Sequence, residues 1–227
     1  MGSGEGAIRP LYGGDPSPDT HGAAWLSPYD HPVPFDRHVR RWLDSRFSHL
    51  VRILHPAYDS ADQPVTWRQI ARTRGVTVDV GTSFGALVGT QDPNAVLPGI
   101  FARRPVDGSL PDELMPPLQE LLGPSGTCGL LWTGYGWLSD AMASAAVVGD
   151  GPQRYWSLRA VADPFAATIT YESPNFWWPD DHSWRVGTGM DSVETLVASN
   201  DEDVIDTIVR SPALETIRLT THSNRMP

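Results

Sequence analysis

From Phe35 to Ile53 the chain places apolar residues at Val39, Trp42, Leu43, Phe47, Leu50 and Val51, continuing to Leu54, with Arg and Asp between them. Steps of three and four residues put such a series on one face of a helix, so an amphipathic helix is predicted, ended by Pro56. After the turn "DSADQP", Thr66 is placed to cap a short helix "WRQIARTRG" that Gly75 closes in a left-handed conformation. "VTVDV", residues 76–80, alternates like a strand, and residues 81–108 carry the Gly and Pro punctuation of loops around short extended pieces.

Ser109 is placed to cap a helix through "LPDELMPPLQELLG", whose Leu114, Leu118, Leu121 and Leu122 share a face and whose tandem Pro116 and Pro117 predict a kink. The pattern then changes period. "CGLLWTGYGWL", "AAVVG", "RYWSLRAV", "ATITYES" and "SWRVGTGMD" are short, β-branched or aromatic, and separated by Gly or Pro, as strands are. "TLVAS" leads into a last helix, capped by Ser199 or Asn200 with Asp201, Glu202 and Asp203 in its first turn and Pro212 beyond, and "ETIRLTT" returns as a strand.

Helices mainly first and strands mainly later, without βα alternation, predict an α+β fold: helices packed on a mostly antiparallel β-sheet, as a single domain over residues 35–227. Residues 1–34 hold few apolar anchors among Gly, Pro, Asp and Ser, and read as a flexible N-terminal arm. No repeat recurs at a fixed period.

Composition narrows the function classes. With 40% hydrophobic content over 227 residues the chain can bury a sizeable core. No window approaches the run of about eighteen apolar residues that spans a bilayer. The start lacks a basic-then-apolar leader, and Gly6 departs from the myristoylation pattern, so a soluble, cytoplasmic protein is expected. The single cysteine, Cys128, excludes an intrachain disulfide and a multi-cysteine zinc site, and fits a buried hydrophobe. The formal net charge is −10, and every basic side chain other than histidine is Arg. An acidic balance argues against nucleic acid as a partner; it leaves a basic protein partner open, with ordinary cytosolic solubility the plainer reading of the charge.

Several motifs invite chemistry. "GTSFG", Gly81 to Gly85, matches the G-x-S-x-G elbow with Ser83 as nucleophile, but the Gly and Pro that follow predict no helix to aim dipoles at an oxyanion. The absence of Lys forbids the phosphate loop GxxxxGK[ST], and no GxGxxG occurs in a βαβ setting, so no cofactor is expected. "PDDH" offers Asp180, Asp181 and His182 as metal ligands in a row. Neighbouring side chains diverge, so at most two could meet one ion, and a turn with solvated charges is the plainer reading. His31 and His55 each precede a proline and read as turn residues.

The densest stretch is "SPNFWWPDDHSW". Alternation along "SWRVGTGMD" puts Trp184, Val186, Thr188 and Met190 on a core face, and Arg185, Gly187, Gly189 and Asp191 on a polar one. Trp177 and Trp178 cannot both point the same way in an extended segment, so one is expected to cover an edge or face a groove. The indoles are expected mainly to hold the sheet together. The remaining ring, with Asp180, Asp181, His182, Arg185 and Asp191, forms the predicted binding surface, without catalytic residues. A small-molecule hydrolase using Asp181, His182 or Asp191 is the alternative.

"PNFWWPDDHSWRVGTGMDSVETLVAS", with "HPAYDSADQPVTWRQIARTRG" and "LLWTGYGWL", resembles an uncharacterised actinobacterial family with the pattern PNxWWPxDxxWxVxTxxDxxxT, over about half of the chain. Pro174, Asn175, Trp177, Trp178, Pro179, Asp181, Trp184, Val186, Thr188, Asp191 and Thr195 carry the match. Gly189 stands where that pattern favours an acid, and His182 where it favours Arg, which argues against an essential acid or ion pair on this strand. The resemblance implies a bacterial cytosolic origin and a shared fold without a mechanism. The expected role is therefore that of a non-catalytic accessory or protein-interaction protein, and an immunity-type inhibitor masking a basic toxin would suit the charge.

Overall fold

The computed structural model describes residues 15–20, 23, 47–90, 92, 94–123, 127–149, 154–159 and 173–219. Its elements run β1 Asp15–Pro16, β2 His49–Leu54, β3 Ala57–Tyr58, β4 Pro64–Val65, α1 Trp67–Arg74, α2 Phe84–Val88, α3 Met115–Leu122, β5 Thr127–Trp132, a 3-10 turn Gly136–Leu138, β6 Val147–Val148, β7 Tyr155–Arg159, β8 Phe176–Pro179, β9 Trp184–Thr188, β10 Glu194–Ser199, α4 Glu202–Arg210 and β11 Thr216–Leu219. The class is α+β, with helices on mostly antiparallel strands. The chain groups into two compact units that are each discontinuous in sequence, Met1–Pro32 with Pro124–His182 and Val33–Gly123 with Ser183–Pro227.

In the first unit β5 lies between β7 and β8, all antiparallel, and β7 also pairs with β1 and β6. Of the arm read at residues 1–34, Asp15–Thr20 and Ala23 are described. Asp15 and Pro16 pair with Arg159 and Leu158, and the Ser157 hydroxyl donates to the Asp19 carbonyl. Leu131, Leu138, Met142, Trp156 and Leu158 form one core cluster of this unit among the described residues.

In the second unit β10 pairs with β9 and β2, and β2 pairs on its other side with β11. α4 packs on β2, β10 and β11, α3 on α4, and α1 on α2. A second core joins Leu54, Trp67, Ile70, Phe84, Leu87 and Phe101, where the rings of Trp67, Phe84 and Phe101 stack in tilted succession at 5.3 and 5.7 Å.

α1 begins and ends as its sequence directs. The Thr66 hydroxyl accepts the Gln69 amide, the Gln69 side chain accepts the Thr66 amide, and Gly75 closes the helix at φ 68°. The Glu215 carboxylate adds a cap from far along the chain, accepting the amides of Trp67 and Arg68 at 2.6 and 2.8 Å. Together these acceptors use the N–H groups that a helix start leaves unpaired.

Four expectations are corrected. The series Phe47, Leu50, Val51, Leu54 lies not on a helix but on or beside β2, a strand flanked on both sides, whose run "LVRIL" is buried throughout. A strand covered on both faces shows an unbroken apolar run that periodicity cannot tell from a helix. Residues 35–46 of that predicted helix lie outside the described residues. "VTVDV" forms no strand, and Val76 and Val80 are exposed. Tandem proline starts α3 rather than kinking it: Pro116 and Pro117 sit in its first turn, where no N–H is required, and Leu114 rather than Ser109 is the cap. Asp201, rather than Ser199 or Asn200, caps α4.

Enclosure on both faces forces the polar residues of β2 and its neighbours to find partners inside. Arg52 is fully buried and donates to Glu194, to the Val80 carbonyl at 2.8 Å and to the Thr82 carbonyl at 3.0 Å. His55, also fully buried, donates from Nδ1 to the Val106 carbonyl at 2.7 Å. Its Nε2 must then accept from the Thr195 hydroxyl, 2.9 Å away, which in turn accepts from Thr188 at 2.6 Å.

Burial pushes the His55 imidazole down to about 4 from 6.5, against the upward pull of the Val106 carbonyl. The unfolded chain therefore takes up the proton more readily between those values, so stability is full above pH 6.5 and falls as pH drops towards 4. We expect denaturant melts to lose on the order of 3 kcal/mol over that interval from this residue. His55→Gln, which does not titrate, should flatten that acid limb while lowering stability at neutral pH.

Candidate functional site

The stretch from Ser173 to His182 is built outwards from strand register. β8 pairs with β5 so that Trp177 faces Gly129 and Trp178 faces Cys128. Gly129 is needed there because an added Cβ would stand 3.3 Å from the Pro174 ring and 3.4 Å from the Phe176 carbonyl. Asn175 is fully buried, and its side-chain carbonyl accepts the Trp132 amide at 2.8 Å where the β5 ladder ends. The Phe176 ring meets Tyr155 edge-on at 5.6 Å.

Both adjacent indoles are inside. Trp177 is 4% exposed and Trp178 0%. This corrects the expectation that one of them faces an edge or groove: alternation sends them to opposite faces, and both faces are covered. An exposed aromatic ring of this unit is instead Trp137, on the 3-10 turn, at 54%. This corrects the reading of "CGLLWTGYGWL" as one strand-like run: β5 ends at Trp132, Gly134 and Gly136 on either side of Tyr135 break it, and ring exposure has no signature in the sequence.

Charge gathers where the strand stops. Asp180, Asp181 and His182 are exposed. The His182 amide donates to the Pro179 carbonyl at 3.0 Å, closing a tight turn, and His182 itself has φ 57°. Left-handed backbone is uncommon outside Gly, Asn and Asp and is held only where surroundings fix it. Period two places Asp180 on the face of Trp178, with Cys128 and Arg159 in register beside it. Arg159 donates to Asp180 Oδ2 at 3.1 Å, and the Cys128 thiol contacts Oδ1 at 3.5 Å. Burial, then the Asp180 carboxylate, pushes the thiol up to about 11, so Cys128 stays protonated and is no nucleophile.

The remaining candidates belong to the second unit. Arg185 and Gly187 of β9 are buried, so the face expected to be polar is enclosed, and only Asp191, in the turn beyond, is exposed. Ser83 does precede a helix, which corrects the expectation of none, but "VTVDV" supplies no strand before it. The Ser83 hydroxyl caps α2 by accepting the Ala86 amide at 3.1 Å. His55 is locked in the buried chain described above, and His31 lies outside the described residues. Among the described residues no group of three His, Cys, Asp or Glu side chains is placed to hold a metal, and no helix is long and apolar enough to cross a membrane.

Comparison with protein-family models, with curated proteins and with solved structures gives no match. The site is therefore read from its geometry.

Two measurements check that geometry. Trp177→Ala and Trp178→Ala should each cost about 3–5 kcal/mol in denaturant unfolding. His182→Val should cost about 1 kcal/mol although the residue is exposed, because a β-branched side chain resists φ 57°, whereas His182→Gly should not.

Proposed function

We propose that the protein is a non-catalytic interaction protein of a bacterial cytosol that presents the acidic turn Asp180–Asp181–His182 to a basic protein partner. The observation that carries this reading is a solvent-facing turn whose shape is fixed from below. Buried Trp178 and Pro179 anchor its base, the Pro179 carbonyl closes it, and Arg159 holds Asp180 in place. A turn fixed before contact loses little entropy on docking. The net charge of −10 favours a basic partner by long-range attraction, which speeds encounter and weakens with salt. An inhibitor that masks a basic toxin is the specific form that fits this charge.

The non-catalytic part rests on where the reactive groups lie. The His55 imidazole and the Cys128 thiol are enclosed and bonded within the fold, and the Ser83 hydroxyl is used as a helix cap. Asp181 and His182 stand in solvent, away from the water-excluded setting that tunes an acid or base.

The test is affinity capture from an actinobacterial lysate with the wild-type chain and with Asp181→Arg, whose exposed position predicts an unchanged melting temperature. A basic protein retained by the wild type at low salt, lost from the variant and eluted by moderate salt is the expected result. Equal retention by both chains, or retention that salt does not touch, would remove the acidic turn from the interface.

A further inference from the structure

The second unit carries a groove of about 670 Å³, remote in sequence from the acidic turn. One wall is α1, whose Gln69 and Thr73 stand one helical turn apart. The other is the segment 96–102, in which the Ile100 amide donates to the Leu97 carbonyl around Pro98 and Gly99. Pro98 followed by Gly99 at φ 82° makes this a type II turn, and a Cβ at Gly99 would meet nothing within 4 Å. Val96, 44% exposed, and the partly buried Val65 and Ile100 give the groove an apolar lining.

Its polar groups are only partly engaged. Asp59 accepts the amides of Ala61 and Gln63 on Oδ1, at 2.8 and 2.9 Å, which leaves Oδ2 for a ligand. Gln69 uses its carbonyl oxygen in the α1 cap and keeps both Nε2 protons. Among the described residues the Gly99 amide and the Pro98 and Gly99 carbonyls take no hydrogen bond. Among the described residues of the lining Asp59 is the one charged side chain, and no Arg or His accompanies it.

A backbone donor, backbone acceptors, a side-chain amide and apolar flanks complement an extended main chain, and a lone carboxylate selects a cation. We propose that this groove binds an extended peptide carrying an arginine, whose main chain bonds to the Pro98–Gly99 turn and to Gln69 and whose guanidinium meets Asp59. The proposal stands independently of the acidic turn.

The probe is the capped pentapeptide acetyl-Val-Thr-Arg-Thr-Val-amide, titrated by calorimetry against the full chain, with a version bearing Glu in place of Arg and with arginine amide alone. The wild type should bind the Arg peptide at least about tenfold more tightly than either control. Asp59→Asn keeps an oxygen for the turn amides and removes the charge, and should weaken binding by about tenfold. Thr73→Arg, at an exposed helical position, fills the groove with a like charge and should abolish binding without lowering the melting temperature. Asp181→Arg should leave peptide binding unchanged, so failure of the acidic-turn reading and failure of this one are separable. No binding by the wild type, equal binding of the Glu peptide or of arginine amide, or undiminished binding by Thr73→Arg would each overturn the proposal.

Discussion

Enclosure of strands on both faces governs this structure. Where a strand has no solvent side, each hydrophilic side chain on it must be satisfied internally or it destabilises the fold. β2 and β10 meet that condition with Arg52 bonded to Glu194 and two loop carbonyls, and with the His55–Thr195–Thr188 chain. Breaking one partner of such a set strands the other as an unpaired buried polar group. Arg52 also fixes the loop that leads into α2, because Val80 and Thr82 give it their carbonyls.

The same condition sorts the chemistry of the surface. The His55 imidazole and the Cys128 thiol are drawn inward and held in their neutral forms, while the carboxylates of Asp180, Asp181 and Asp191 lie at turns where strands end. Asp180 illustrates the boundary: it leaves the buried row of Trp178 by one residue pair, yet is still steered by Arg159 and Cys128. Such a scaffold leaves a fixed, charged turn and a lined groove at its surface.

Much of this was legible in the chain. The cap pair Thr66 and Gln69, the closing Gly75, the strands containing "LLW", "YWSL" and "WRV", and the sheet-rich later half follow from local rules of capping and β-branching. What escaped was set by tertiary surroundings. "LVRIL" satisfies a helical and an enclosed-strand pattern equally, and only its two flanking strands decide. Trp177 and Trp178 alternate as expected, but whether each face of β8 is covered depends on segments far away in sequence. The groove was invisible because α1 and the 96–102 segment meet only in the folded chain. The Glu215 cap was missed for the same reason.

The position of β2 between β10 and β11 has a consequence for how the protein is made. Both neighbours lie more than a hundred residues downstream, so during synthesis "LVRIL" leaves the ribosome long before anything can pair with it. Until then the nascent chain displays a sticky, strand-forming pentapeptide whose sole interruption is the Arg52 guanidinium. The same guanidinium that anchors a loop in the finished molecule is thus the one charge interrupting that apolar run while its partner strands are still unmade.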